Sequence, residues 1–203
     1  MIKLERGEKP KELTEEVCEE SKDATIDHFL PKSKNPDGVI EWENLFPSCL
    51  RCNRKKNNRE EKIVNPCEDD PRDYLGIRNS NPFRLKAIDH EGVGKNTIEV
   101  LGLNDMTRVI VPRLKEWVIL ENNLIEIEND LKEEGFKKKY KTRLRKIMEH
   151  CLPYESYSAV KATNILNHDT YKEIKNILIQ VEQWSADLES LEEAIRHIAL
   201  KVV

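Results

Sequence analysis

A chain of 203 residues with a hydrophobic fraction of 38% and a charged fraction of 35% can form one substantial core, or a small catalytic module beside a helical body. It contains no apolar run of about 18 residues, which excludes a predicted transmembrane helix, and its charged N-terminus lacks the apolar segment of a secretion signal. The net charge of −4 does not by itself indicate a nucleic-acid-binding protein. We expect the protein to be cytoplasmic.

The charges are unevenly distributed along the chain. Residues 51–59 (RCNRKKNNR) and 137–146 (KKKYKTRLRK) are strongly basic, whereas residues 12–20 and the C-terminal end are rich in acidic side chains. Local basic patches on an acidic chain fit a protein that contacts phosphates at one place. For the second basic segment we favour a solvated helix face.

The first part of the chain changes composition near residue 24. Residues 1–23 are polar and acidic, and we expect an extended arm and a short helix there. Residues 24–70 are dense in Pro, Asn, Cys and Trp and contain the residues that we expect to carry the chemistry. We therefore predict an N-terminal arm and catalytic module over 1–75, followed by a β-hairpin and a helical, partner-docking body over 76–203.

A β-hairpin is predicted between the module and the helices. Residues 83–89 and 97–100 are strand-like and flank a turn that contains Gly92 and Gly94. From about residue 105 onward the sequence is typical of helices.

Two apolar stripes with helical spacing follow. The first consists of Trp117, Leu120, Leu124, Ile127 and Leu131. The second, a seam nearly four heptads long, consists of Ile174, Ile177, Val181, Trp184, Leu188, Leu191, Ile195 and Ile198. We expect the stripes to pack on each other inside one bundle, although part of the second could dock on a partner helix. Pro153 and residues 167–169 are predicted breaks between helices.

The most informative segment begins with Asp27 and His28, at the end of a short apolar run. Pro31 and the Asn-Pro-Asp-Gly sequence at 35–38 predict a sharp return of the chain. The segment after Pro47 can be helical. The predicted order is therefore strand, turn, strand, helix.

Such a unit can hold one divalent cation for phosphodiester hydrolysis, which needs a base for the attacking water and positive charge on the phosphate. His28 is the candidate base, because imidazole titrates near neutral pH. Asp27 and Asn53 offer oxygen ligands suited to Mg²⁺ or Mn²⁺. Three basic residues that could grip flanking phosphates follow at once: Arg54, Lys55 and Lys56.

The pattern Asp-His, then Pro, then Trp-x-Asn-Leu, then Cys-x-x-Cys-Asn-x-x-Lys resembles the HNH (ββα-metal) endonuclease family. The resemblance implies that His28 is the general base, Asp27 a metal ligand, and Asn44 the residue that braces the loop carrying the base. Asn53 stands where the family's last His or Asn binds the metal. The implied fold class is α+β, mostly α: a small ββα-metal HNH module, a short β-hairpin and a C-terminal helical bundle.

Flanking segments are similar to one HNH subgroup, the PtuB nuclease subunits of Septu-type antiphage systems, which are sometimes found in retron operons. The matching segments are residues 3–10, 65–71, 97–104 and 157–160. This resemblance implies a DNA-cutting effector that works with an ABC/SMC-like, PtuA-like ATPase subunit.

The cysteines depart from the pattern of many HNH proteins, which carry two Cys-x-x-Cys pairs around a structural zinc. Here Cys49 and Cys52 form one such pair, and Cys18 and Cys67 could complete four ligands, but with unusual spacings. A site that has lost zinc, with free cysteines as small buried hydrophobic residues, is at least as compatible with the sequence. The odd count of five and the absence of a signal sequence favour a reducing compartment.

Three functions remain open from the sequence. The first is a DNA endonuclease with little sequence readout, because no helix carries an evident base-reading set. The second is the same chemistry on RNA. The third is a non-catalytic nucleic-acid-binding or assembly subunit on a decayed HNH scaffold.

Overall fold

The structure, a computed structural model, describes residues 24–203; the side chains of Ala24 and Pro47 are not described. The predicted arm and short helix over 1–23, and Cys18 with them, lie outside the described residues. The predicted fold class, α+β and mostly α, is confirmed, with small sheets first and a helical region after them.

The chain groups into two compact units. The first contains the residues up to Gly76 together with Leu85–Asp105, and the second contains Ile77–Arg84 and Met106–Val203. The first unit thus includes residues 85–105, which the predicted division placed with the helical body.

The first unit begins with an antiparallel strand pair and a short helix. Strand β1 (Ala24–His28) pairs with β2 (Leu45–Cys49), in a register that places Asp27 opposite Phe46 and His28 opposite Leu45. Helix α1 (Leu50–Lys56) follows β2 directly. The thiol sulfur of Cys49 accepts a hydrogen bond from the backbone N–H of Cys52 and caps this helix. The predicted strand, turn, strand, helix order is present.

The next elements are helix α2 (Pro71–Tyr74), strands β3 (Leu75–Arg78) and β4 (Asn81–Ala87), and helix α3 (Val93–Leu101). Strand β4 covers most of the first predicted hairpin strand. Its partner is β3, and the C-terminal strand β5 (Lys201–Val202) lies on the other edge of β3, which gives the order β4-β3-β5.

The second predicted hairpin strand, residues 97–100, is wrong, because these residues are helical in α3. The Asp89 carboxylate accepts hydrogen bonds from the backbone N–H groups of Val93 (2.8 Å) and Gly94 (3.0 Å), which satisfies the first turn of the helix. The Thr97 hydroxyl donates to the Val93 carbonyl inside the helix. These local bonds outweigh the β-propensity of the Thr-Ile-Glu-Val segment.

The second unit is a bundle preceded by a π-helical turn at Met106–Ile110. Its helices are α4 (Val111–Glu134), α5 (Lys138–Glu149), α6 (Ser158–Asn167), α7 (Asp169–Gln180) and α8 (Ala186–Ile198). The breaks predicted at Pro153 and at 167–169 are confirmed, since α5, α6 and α7 end and begin around them. In the described chain, no helix has the length and apolar character required to span a bilayer.

The first apolar stripe is confirmed, because all five of its residues are buried on α4. They form one core with residues of the second stripe, including Ile174, Leu188 and Ile195, so the two stripes do pack on each other. The single long seam is wrong. Helix α7 stops at Gln180, and the backbone N–H groups of Gln183 and Trp184 both bond to the Leu178 carbonyl, which closes the helix end.

Candidate active site

Strand β1 and helix α1 meet through polar side chains. Thr25 and Asp27 are two residues apart and share one face of the strand, and Asn53 and Lys56 are three apart and share one face of the helix. The Asn53 amide nitrogen donates to the Thr25 hydroxyl oxygen at 3.2 Å. The Lys56 ammonium donates to Asp27 Oδ1 at 3.2 Å. The sequence order therefore aligns one polar row of the strand with one polar row of the helix.

His28 lies half-buried at the end of β1, with its ring in a defined orientation. Its Nε2 lies 2.8 Å from the backbone carbonyl oxygen of Val39, in the loop between the strands. A carbonyl oxygen can only accept, so Nε2 carries the hydrogen in this contact. In the neutral ring the other nitrogen, Nδ1, is then the one with a free lone pair.

Asn44 is buried and joins three backbone groups of the same loop. Its side-chain oxygen accepts from the Leu30 N–H at 2.7 Å, and its amide nitrogen donates to the carbonyls of Gly38 (2.9 Å) and Leu30 (3.2 Å). Gly38 directly precedes Val39, whose carbonyl binds His28. Asn44 thus lies where the predicted loop brace would act.

The orientation of the Asn53 amide follows from its neighbours. Its nitrogen donates to Thr25 Oγ1 and to the Ile26 carbonyl (3.3 Å). The Thr25 hydroxyl donates its own hydrogen to the Ser48 carbonyl, so its oxygen is the acceptor for Asn53. This network turns the amide nitrogen of Asn53 toward β1 and leaves the carbonyl oxygen as the end suited to a cation.

Asp27 and Lys56 form a largely buried ion pair. Their side chains are 13% and 4% exposed, and the Lys56 ammonium also donates to the backbone carbonyl of His28. Burial raises the pKa of Asp27, and the neighbouring Lys56 charge and hydrogen bond act in the opposite direction, as do the N–H and charge of His28. Lys56 is therefore turned inward to the predicted metal ligand.

The structure separates the three predicted phosphate contacts. Arg54 is exposed, as is Arg51 one helical turn earlier. Lys55 is half-buried, and its side chain packs against Gly102, the residue that follows α3. The contact is so close that a Cβ atom at position 102 would lie 2.4 Å from the Lys55 ammonium nitrogen. Lys56 makes the ion pair with Asp27. By position, Arg54 is the member of the predicted set that is open to an outside phosphate.

The cysteines of the described chain do not converge on a metal. Among residues 24–203, no group of three or more His, Cys, Asp or Glu side chains is placed to hold an ion, so Cys49, Cys52 and Cys67 do not form a three-ligand set. The Cys49 sulfur instead caps α1. Cys18, the fourth candidate, lies outside the described residues.

The donor types on strand β1 and the facing helix α1 suit a hard divalent cation. Asp27 supplies one carboxylate, and Asn53 presents an amide oxygen from the facing helix. Mg²⁺ in proteins is commonly held by one or two carboxylates and keeps several waters. A site with a single acidic ligand is therefore compatible with Mg²⁺ or Mn²⁺ and unsuited to a closed zinc site.

Sequence reasoning missed two features of this site. The Val39 carbonyl that orients His28 is a backbone group, so the residue type at position 39 could not indicate its role. Thr25 anchors Asn53, and its two-residue spacing from Asp27 was the signal that could have identified it.

Comparison with known proteins identifies the family of the chain. Residues 15–59 match the family model described as HNH endonuclease. The chain is 33% identical over 184 residues to the Septu protein PtuB of Bacillus thuringiensis, covering 85% of this chain and 70% of that protein. The chain belongs to the PtuB family of HNH proteins.

A second relative, the Septu protein PtuB of Bacillus mycoides (strain KBAB4), is 31% identical over 112 residues, which covers 39% of this chain and 37% of that protein. No solved structure matches the chain. The matched residues, 15–59, contain the predicted base His28, the predicted metal ligands Asp27 and Asn53, and the predicted loop brace Asn44. They also contain the three predicted phosphate contacts, Arg54, Lys55 and Lys56.

Proposed function

We propose that the protein is a metal-dependent endonuclease that hydrolyses phosphodiester bonds of DNA, and that it acts as the nuclease effector of an antiphage complex with an ABC/SMC-like ATPase subunit. Its family membership supports the reaction class. The HNH module, residues 24–58 of the described chain, would be the catalytic part.

The observation that carries this proposal is the contact between His28 Nε2 and the Val39 carbonyl. It holds the ring in the tautomer whose Nδ1 can take a proton from an attacking water. Asn44 supports this function because it holds the loop that contains Val39.

Asp27 and Asn53 would hold the divalent ion. When bound, that ion would supply positive charge for the phosphate and the leaving oxygen. Asp27 would neutralise part of the ion's charge, and the Asn53 oxygen would orient it without adding more negative charge. Arg54 would hold a neighbouring phosphate of the same strand through its guanidinium group.

The helical body, α4 to α8, would dock on the ATPase subunit. Both relatives carry the name of Septu proteins. Helix α4 exposes several large hydrophobic side chains: Leu114, Val118, Ile119 and Ile125. Leu114, Val118 and Ile125 lie four and seven residues apart and therefore share one face of the helix, and a contiguous exposed apolar face is typical of interaction surfaces. Val118→Asp should therefore prevent co-elution of the two subunits, and unchanged co-elution would argue against this surface.

The decisive experiment incubates the purified protein, alone and with the ATPase subunit, with plasmid DNA and with total RNA, with and without Mg²⁺. We expect metal-dependent cutting of DNA that is lost in His28→Ala and retained in His90→Ala, a matched change at an exposed histidine of the same unit. If RNA is cut and DNA is not, the substrate of the proposed reaction is RNA. Full metal-dependent activity of His28→Ala would refute the assignment of the base.

A further inference from the structure

Lys56 is an unusual lysine because its charged end is buried. The side chain is 4% exposed, whereas most lysines keep their ammonium group in water. A buried ammonium is stable only when hydrogen bonds and an opposite charge replace its hydration. Here the partners are Asp27 Oδ1 and the backbone carbonyl of His28.

Through these two contacts Lys56 binds both the proposed metal ligand, Asp27, and the proposed base, His28. One lysine from α1 binds the side chain of Asp27 and the backbone of His28, so it sets the position of the last two residues of β1. In addition, the Lys56 ammonium binds one specific oxygen of the Asp27 carboxylate, Oδ1. A divalent ion beside Asp27 would then reach the carboxylate through the other oxygen, Oδ2.

We infer that Lys56 is a positioning residue that reserves one oxygen of Asp27, makes the carboxylate a monodentate ligand, and so selects small divalent ions over Ca²⁺. This inference rests on the proposed function, in which Asp27 is a metal ligand. Ca²⁺ readily takes both oxygens of a carboxylate, whereas Mg²⁺ requires near-ideal octahedral geometry with single oxygens. The ammonium also reduces the negative charge that Asp27 presents, which weakens the binding of every divalent ion.

The test is calorimetric titration of the full-length protein with Mg²⁺, Mn²⁺ and Ca²⁺. Lys56→Met removes the charge and keeps an unbranched apolar side chain, and Lys56→Gln keeps a hydrogen-bond donor without the charge. In the matched control, Lys62→Met, the lost lysine is exposed and pairs with Glu91 at 3.8 Å. It removes the same charge from the same unit.

In the wild type we expect Mg²⁺ and Mn²⁺ to bind more tightly than Ca²⁺. In Lys56→Met we expect every ion to bind more tightly and the preference over Ca²⁺ to fall by about tenfold, because both oxygens become available. Lys56→Gln should lie between the two, and the control should behave as the wild type. An unchanged ratio of Mg²⁺ to Ca²⁺ affinity in the Lys56 variants would overturn the inference and leave the proposed function standing.

An infrared difference spectrum keeps the inference testable if both Lys56 variants fail to fold. The wild type with and without Mg²⁺, compared with Asp27→Asn, isolates the carboxylate bands of Asp27. Widely split bands, as expected for a monodentate carboxylate, support the inference, and the narrow splitting of a bidentate carboxylate overturns it. A wild type that binds no divalent ion at all would overturn both this inference and the proposed metal-dependent function.

Discussion

In the HNH module, residues 24–58, the side chains of the proposed site are held by hydrogen bonds to backbone groups, whereas in the helical body the helices pack mainly through apolar side chains. The buried residues of the module include the polar Asn44 and Lys56 beside Phe46. The core of the body is a single cluster of buried, mostly aliphatic residues from all five helices.

This difference follows from what each region has to present. Apolar packing is tolerant of residue identity as long as the volume is kept, so it gives stability without fixing polar groups in particular orientations. Hydrogen bonds to backbone carbonyls fix direction, as in His28 and Asn53, but each contributes only about 1 kcal/mol net. We therefore expect stability to depend more on the body and site geometry more on the module.

The strongest test of this comparison is a cavity in the body. Leu124→Ala removes a fully buried side chain of α4 and should lower the free energy of unfolding by about 2–5 kcal/mol. Urea unfolding followed by circular dichroism measures it. Ile119→Ala, on the exposed face of the same helix, should change stability by less than about 0.5 kcal/mol. Equal losses in the two variants would contradict the assignment of the core.

The matching change in the module is Asn44→Ala. It leaves the Leu30 N–H and the Gly38 carbonyl without their partner, and we expect a loss of about 1–3 kcal/mol in stability together with slower cutting. The stability and cutting rate of Asn44→Asp should lie between those of the wild type and Asn44→Ala, because Asp keeps the hydrogen-bond acceptor and loses the donor. Unfolding curves and plasmid cutting of the same samples are the measurements, with the exposed Asn58→Ala as control. A variant that loses stability but cuts at the wild-type rate would show that the loop does not position His28.

A smaller effect on stability is expected for Asn53→Ala, which removes one of the two proposed metal ligands. Cutting should fall by about 10–100-fold and recover in part at higher Mg²⁺ or Mn²⁺ concentration, as is typical when metal affinity is reduced. The thermal midpoint should change little. If no concentration of either ion restores activity, the ligand set must be a different one.

The smallest effect concerns a surface network at the end of α4. Hydrogen bonds from Lys137 and Tyr140 lower the pKa of Glu134 from 4.5 to about 2. Because the folded pKa is lowered, the ionised carboxylate stabilises the fold above pH 4.5, and this contribution is lost as the pH falls toward 2. The thermal midpoint of Glu134→Gln should lie slightly below that of the wild type at pH 6, and the gap should close in acid. A gap that is independent of pH would mean that the charge of Glu134 does not contribute.

Several parts of the fold followed from local pattern. The α4 stripe was predictable because burial repeats every three or four residues along one continuous helix. The ββα order was predictable because Pro31 and the Asn-Pro-Asp-Gly turn at 35–38 separate the two strands and the segment after Pro47 can be helical. The hairpin partner of β4 was not predictable. Residues 97–100 have strand propensity, but they belong to a helix whose first N–H groups, those of Val93 and Gly94, donate to the carboxylate of Asp89, which lies outside the segment. The long seam failed for a similar reason, because a helix end at residues 181–185 leaves the heptad spacing intact.

The sequence by itself determined the reaction class that we propose and the residues that would carry it, because their motif resembles that of the HNH family and their side chains are a base and oxygen ligands suited to that reaction. Only the tertiary structure decided how these groups are directed. It placed the Val39 carbonyl at Nε2 of His28 and directed the amide nitrogen of Asn53 toward β1. It also directed Lys56 inward to Asp27 rather than outward to a phosphate. The physical reason is that the direction of a side chain depends on partners distant in sequence, and these are brought together only when the strand, the loop and the helix have folded.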